Sequence, residues 1–434
     1  MKKLFKLTEH DTTIRRELAA GLTTFCAMAY IIFLNPVFLS ATGMHADGVL
    51  VATCAAAGIS CLLCAALSNK PFALAPGMGM NAFFAYTLCG TYGYSWQQAL
   101  AITLIAGLLF LLVVLSPLRQ TILHAVPKNL KYAISAGIGL FITVIGLLDA
   151  GIVTMNTGVP ALGDFSAPEV QTALLGLLIT ILLTVAGIRG SLILGMLLTA
   201  LLGLLLGHTT LPQQIAQVPT AISAVFMQLD FNGLLSNHSP AAWISLISLI
   251  LSMTLVDFFD TLGFLIGTGA RADLLDKTGD LAGMDRVLIA DAAATVLGAL
   301  CGTSTVTAYA ESAAGIAVGG KTGLTALTTG LLFLLATFFA PLTGVMTSAV
   351  TAPVLIIVGM YLVMEIKKVD FSHADDAIPA FLTLIIMPTA YSITAGIAVG
   401  FISHAVCKLT AQKWQELSAP AIVLAVIFLL YFFL

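Results

Sequence analysis

The chain has 434 residues, 59% of them hydrophobic and only 9% charged, where an ordinary soluble domain carries about 25% charged residues. With a mean hydropathy of +1.04, a soluble core of this length could not hide so much apolar surface, whereas a bilayer can. The net charge of −3 gives no reason to expect a nucleic-acid partner. The stretch 1–11 lacks the apolar core and small-residue cleavage site of a signal peptide, so the first spanning helix is expected to direct membrane entry.

A spanning helix needs about 20 apolar residues. In chain order the hydropathy pattern predicts spans at 17–39, 47–69, a short segment 77–90, 96–115, 131–148, 168–187 and 190–207. After a polar linker, 208–240, come 241–266, 286–300, a short segment 308–318, 322–341, 347–366, 377–388 and 391–407. That count is fourteen, with an apolar run, 418–434, left over as a fifteenth span or an interfacial helix. Lys and Arg collect on the cytoplasmic side of membrane proteins. With the N-terminus inside, all 18 basic residues fall in cytoplasmic segments, and the loops 40–46, 91–95, 149–167 and 208–240 hold none. The same sorting requires a break at Pro388–Tyr391, because one long span over 377–407 would put Lys408 and Lys413 outside. The seven cysteines, including the Cys61/Cys64 pair, lie in or beside apolar runs and read as small packing residues rather than metal or redox sites.

The linker divides the spans seven and seven. An odd number per half makes the second half enter from the opposite face, the arithmetic of an inverted repeat. The third segment of each half is interrupted. The first reads Pro71-Phe-Ala-Leu-Ala-Pro-Gly-Met-Gly-Met-Asn81-Ala-Phe-Phe, and the second Gly302-Thr-Ser-Thr-Val-Thr-Ala-Tyr-Ala-Glu311-Ser-Ala-Ala-Gly. Pro76 and Gly77 break the first, and the Thr-rich run 303–307 favours strand over helix in the second. Unpaired backbone groups cannot face lipid, so both stretches are expected to be buried in protein or to line a cavity. Each short helix is expected to turn its N-terminal N–H groups toward that place. Paired interruptions of this kind point to a mid-membrane binding site.

Four carboxylates fall inside apolar segments: Asp257, Asp260, Asp291 and Glu311. Lys131 and Arg286 stand only at the ends of predicted spans, so no Lys or Arg lies within a span to neutralise them. An ionised Asp at a helix centre costs about 2.5–3.5 kcal/mol to insert. Desolvation favours the neutral form of a carboxyl, so an acid there can take and release a proton or accept N–H groups of a ligand. These four are the proton-coupling candidates. Asp257 and Asp260 share a helix face at i and i+3. Asn81, at the first break, offers both donor and acceptor. Phe83, Phe84, Phe258, Phe259 and Tyr309 flank the polar residues, where a flat heteroaromatic ligand could stack. His404 reads as a packing histidine, Glu17 and Asp149 as solvated span ends, and the mixed-charge stretch 271–286 as a hinge. No metal motif and no cofactor motif is present; the proton is the expected coupling ion.

The strings 75–84, Asp257-Phe-Phe-Asp-Thr-Leu-Gly263 and 302–315, with Gly319-Gly-Lys-Thr-Gly-Leu-Thr-Ala326, resemble the hypoxanthine/guanine/adenine permeases of the nucleobase–ascorbate (nucleobase:cation symporter) family. The resemblance runs from about residue 7 to the end. It implies an all-α polytopic fold of fourteen spans in a 7+7 inverted repeat, with short strands before spans 3 and 10. It implies a core domain from 17–115 and 241–341, a gate domain from 131–207 and 347–434, and an extracytoplasmic linker, 208–240. It further implies a homodimer in the inner membrane that imports a purine with protons by elevator-like motion and catalyses no reaction. Carried over by motif, Asp257 is the eighth-span substrate acid, Glu311 the tenth-span acid with Tyr309 beside it, Asp291 the ninth-span acid and Asn81 the third-span asparagine. Asn81, Phe83, Asp257, Phe258, Tyr309 and Glu311 thus form the expected substrate site. Phe264 stands where this branch often has Thr. Two other readings compete. An anion exchanger of this fold wants a cation where Glu311 stands. An intramembrane aspartyl protease also needs paired buried aspartates, but its Gly-x-Gly-Asp signature is absent.

Overall fold

The computed structural model describes residues 4–117, 126–156, 159–209, 214–236, 239–271 and 283–433. Most of the expected hinge 271–286 lies outside the described residues. Among them, nine helices are long and apolar enough to cross a membrane, so the fold is that of a mostly helical, multi-pass membrane protein.

The chain opens with α1 (Ile14–Met28) and α2 (Ile31–Ser40), one apolar stretch with a break in pitch between them. There the N–H groups of Ile32 and Phe33 bond three residues back, to Ala29 and Tyr30, in place of the α-helical four. α3 (Ala46–Ser68) starts where the His45 side chain accepts from Gly48 N–H and ends at Asn69, in the left-handed conformation (φ 50°) that Asn tolerates. Next come β1 (Leu74–Pro76), α4 (Met78–Ala82) and a π-helical stretch, Phe83–Thr91. α5 (Trp96–Leu115) carries a complete Ser95/Gln98 capping box. α6 (Lys128–Asp149), the hairpin β2 (Val153–Asn156) and β3 (Val159–Leu162), α7 (Pro168–Val185) and α8 (Ser191–Leu205) complete the first half.

The described residues of the linker include a 3-10 turn, Thr220–Ala224, and a short helix, α9 (Phe231–Leu234). Beyond it lie α10 (Pro240–Arg271), α11 (Met284–Cys301), β4 (Val306–Ala308), α12 (Ser312–Val318), α13 (Gly323–Ala336), α14 (Ser348–Val363), α15 (Ala374–Thr389), α16 (Ile393–Thr410) and α17 (Ala419–Phe433). α11 ends at Gly302 (φ 93°), where an added Cβ would stand 2.5 Å from the Val225 carbonyl oxygen. Only glycine meets both demands.

The helices pack in two groups. α3 lies against α2, α11 and α13; α5 lies against α10 and α11; α1 lies against α12 and α13. In the other group α6 packs on α14 and α15, α7 on α8 and α14, and α15 on α16. α17 folds back along α16, with the Phe401 and Phe428 rings 5.8 Å apart, and also touches α10. Its Tyr431 ring stands 6.2 Å from that of Tyr92, in the loop after the π-helical stretch.

Two charged residues depart from the expectation. Glu17 is fully buried rather than solvated. Its carboxylate accepts from the N–H groups of Lys321 and Thr322 and from the Thr325 hydroxyl. It thereby serves the start of α13, whose first N–H groups lack helical partners. Lys131 falls inside a spanning helix because α6 begins earlier than the hydropathy suggests, and its ammonium stands 4.5 Å over the Phe259 ring. At the far end of α16, Lys408 is 2% exposed and ion-paired with Asp375, Asp376 and Glu416. His404 packs one turn earlier, also buried.

Candidate functional site

β1 and β4 run antiparallel, with Leu74 opposite Ala308, Ala75 opposite Thr307 and Pro76 opposite Val306. The pairing continues past both ends: Gly77 N–H donates to Thr305 O and Tyr309 N–H to Ala73 O. Strands of three residues would leave costly unpaired groups inside a bilayer, and neighbours take up the remainder. The Cys61 thiol lies 3.2 Å from both N and O of Leu74, and Ser312 Oγ accepts from Ala73 N–H. Val306 and Thr307, both β-branched, suit this extended geometry. Cys61, of no assigned role in the sequence, is thus part of the strand's support.

A cavity of ≈ 650 Å³ lies against this crossing. Its inner wall includes Gly77, Met78 and Gly79 from the first break and Thr307, Tyr309, Ala310 and Glu311 from the second. Tyr30, Asp260, Phe264 and Tyr361 stand around them. The cavity extends past Gly190 and Ser191 to Glu365, Lys367 and Lys368, beside the basic residues that the charge sorting assigns to the cytoplasm. The Tyr30 hydroxyl donates to Glu311 Oε1 at 2.7 Å, and the Tyr309 hydroxyl to the Pro76 carbonyl at 2.5 Å. These two bonds orient the acid and hold the Tyr309 ring at the cavity edge. The backbone of Gly77 comes so close to the strand that an added Cβ would meet Thr307 Cγ2 at 2.6 Å.

Of the acids and aromatics singled out from sequence, the fold brings Asp260, Phe264, Tyr309 and Glu311 to the cavity. It does not bring the other four expected substrate contacts there. Asp257 is 1% exposed and accepts from the Thr295 hydroxyl at 2.7 Å, behind the wall. Asn81 is fully buried and accepts from the Ser304 hydroxyl, cross-linking the two breaks. Phe83 is fully buried, and Phe258 packs edge-on against Phe110. Asp291 is fully buried and accepts from Thr261 Oγ1 at 2.6 Å.

The sequence reading missed Tyr30 and Tyr361. Tyr30 belongs to an interrupted apolar stretch, and an aromatic in an early span carries no local signal of a partner 281 residues away. Asp260 is a proton-coupling candidate in the sequence, but Asp257 and not Asp260 is the expected substrate contact. Successive helical positions three apart differ in direction by roughly a sixth of a turn, enough to put one member in the cavity and the other behind it.

Comparison with known proteins agrees with this architecture. The permease family model (Xan_ur_permease) matches residues 15–399. The guanine/hypoxanthine permease PbuG of Bacillus subtilis is 40% identical over 443 residues, covering 100% of this chain and 99% of the relative. The adenine permease AdeQ of Escherichia coli is 37% identical over 431 residues, covering 99% of this chain and 95% of the relative. Among solved structures, the transmembrane domain of the cyanobacterial bicarbonate transporter BicA superposes with a TM-score of 0.62 at 15% identity, over 92% of this chain and 97% of that one. That last likeness is one of fold alone. A chain matched along nearly its whole length by such relatives belongs to the permease family, in the branch of the guanine/hypoxanthine and adenine permeases, and is a membrane transport protein rather than an enzyme.

Proposed function

We propose that this protein imports purine bases (adenine, guanine or hypoxanthine) across the inner membrane with protons. The observation that carries the reading is a cavity at the meeting of two interrupted segments, where Asp260 and Glu311 stand among Tyr30, Tyr309 and Phe264. A neutral purine offers N–H donors on its edge and an aromatic face on each side. Carboxyl oxygens accept the donors, and an aromatic ring stacks on the face. The names of the relatives PbuG and AdeQ support the same substrate class. Asp260 takes the place in this reading that the motif comparison gave to Asp257.

Fourteen spans in two inverted halves form the framework, with α17 as a further crossing and the N-terminus in the cytoplasm. Residues 17–115 and 241–341 act as the core, and 131–207 and 347–434 as the gate; the two packing groups of helices support that division. The route from the cavity past Lys367 and Lys368 corresponds to an inward-open state. Elevator-like displacement of the core against a dimeric gate would then expose the same site outward. The proton carrier is an acid of the group Asp257, Asp260, Asp291 and Glu311. Anion exchange on the same fold is the second reading, but the carboxyls of Asp260 and Glu311 beside the strand crossing disfavour an anion there.

The test is uptake of labelled hypoxanthine into proteoliposomes, with adenine, guanine, xanthine and bicarbonate as competitors, with and without an inward proton gradient. The expected result is competition by purines, none by bicarbonate, and accumulation that a protonophore abolishes. Asp260→Asn is expected to weaken binding more than Asp257→Asn. The reverse order would return the substrate contact to Asp257.

A further inference from the structure

The polar groups behind the cavity wall form a chain. Thr307 lies in β4 with its side chain at the cavity and 3% exposed. Its Oγ1 is 2.6 Å from Oγ1 of Thr261 on α10, and Thr261 Oγ1 is 2.6 Å from Oδ2 of Asp291 on α11. Three elements therefore place hydroxyl, hydroxyl and carboxyl in line, from the cavity to a fully buried acid. The other Asp291 oxygen, Oδ1, meets no donor within hydrogen-bond distance.

The direction of the chain follows from proton counting. Each threonine hydroxyl has one proton to donate. When Asp291 is a carboxylate, Thr261 donates to it, and Thr307 must donate to Thr261. When Asp291 is protonated on Oδ2, its own O–H can donate to Thr261, and both hydroxyls can turn the other way. A chain that reverses its donors with the charge on its terminus is what proton transfer between fixed oxygens requires.

We propose that Thr307 and Thr261 form a hydroxyl relay that carries the coupling proton between the cavity and Asp291. The proposal rests on the proton-symport reading and deepens it. A hydronium ion in the cavity gives its proton to Thr307 Oγ1. The Thr307 proton passes to Thr261, and that of Thr261 to Asp291 Oδ2. Water and a neutral carboxyl result, and the reverse sequence releases the proton. The titratable groups around Asp291 are Asp257 and Asp260 of α10 and the Cys64 thiol of α3. α5, which also packs on α11, has no titratable side chain. Asp291 gains its proton next to two other acids, so its charge state bears on theirs, including that of Asp260 at the cavity. That link ties proton occupancy to the ligand site.

The experiment compares two kinds of transport of labelled hypoxanthine in proteoliposomes: accumulation driven by an inward proton gradient, and exchange of base for base without a gradient. Exchange needs the site to move but no net proton transfer. Thr261→Val is expected to lower accumulation by about tenfold or more, as loss of an in-line proton carrier does, while exchange continues at the parent rate. Thr261→Ser, which keeps the hydroxyl, is expected to restore accumulation. Thr307→Val is expected to lower accumulation in the same way. Accumulation at the parent level in both valine variants overturns the relay. So does an equal loss of accumulation and exchange in Thr261→Val that serine repairs no better than valine, because the residue would then serve packing alone. A parent protein that exchanges bases but ignores the gradient overturns proton symport itself and the relay with it, an outcome read before any variant is made.

Discussion

The two interrupted segments pair with each other through β1 and β4, yet they contribute differently. The first, around Pro76–Asn81, contributes shape. Gly77 and Gly79 bring bare backbone to the cavity, while Asn81 turns away and accepts from Ser304. The second, around Thr303–Glu311, contributes chemistry. Thr307, Tyr309 and Glu311 all present side chains to the same space. The other acid near the crossing, Asp260, comes from neither break but from the long helix α10. Two strands that pair as equals thus carry an asymmetric site. One half supplies closeness of approach, and the other supplies groups that accept hydrogen bonds.

This contrast can be broken most directly at Glu311. Glu311→Gln keeps the shape and the Tyr30 contact but removes an ionisable acceptor. Hydrogen bonds to charged groups are worth about 1.5–3 kcal/mol, so binding of labelled hypoxanthine is expected to weaken roughly 10- to 100-fold. Unchanged affinity would remove Glu311 from the site. The counterpart in the first break is Gly77→Val. Its Cβ would stand 2.6 Å from Thr307 Cγ2, and overpacking of this kind costs about 1–3 kcal/mol. The variant is expected to melt at lower temperature and bind more weakly, whereas Gly344→Ala, where an added Cβ meets nothing within 4 Å, should do neither.

A smaller effect is expected at Tyr30→Phe. The lost bond to Glu311 Oε1 leaves the carboxyl free to turn, and a hydrogen bond contributes about 1 kcal/mol net. Equilibrium binding should weaken about fivefold, and Tyr30→Phe combined with Glu311→Gln should add little to the loss from Glu311→Gln alone. Full additivity would separate the two residues. The least effect on binding, and one on stability alone, is expected at the Lys408 cluster. Lys408 and Lys413 hold the Asp375 carboxyl below the usual carboxylate range, and Lys408 does the same to Glu416. A carboxyl lowered in the folded state contributes stability above its unfolded value, about pH 4, and loses it as the pH falls toward the folded value. Melting temperature should therefore hold from pH 7 to about pH 5 and decline below about pH 4. In Lys408→Gln three carboxylates lose their shared cation, so the melting temperature should drop at pH 7 and by less at pH 4.

Hydropathy and charge were enough to read the membrane class, most segment positions and both interruptions, because transfer into lipid acts residue by residue along the chain. The pairing of β1 with β4 illustrates the next level. Its two strands lie 230 residues apart, and the Pro-Gly and Thr-rich signals showed where each would leave the helix but not that they would pair. Glu17 marks the limit on the polar side. From sequence it resembles any acid at a span end, and only the arrival of Lys321, Thr322 and Thr325 makes it a buried acceptor.

The sequence by itself determined that acids and broken helices lie within the bilayer, because nothing else in a chain this apolar explains them. Only the tertiary structure decided which acid meets the cavity. That choice depends on how α10 is rotated against α11 and β4, and the rotation is set by packing between segments far apart in the chain. The same packing brought Asp260 to the cavity that Glu311 lines and left Asp257 and Asp291 on threonine hydroxyls behind the wall.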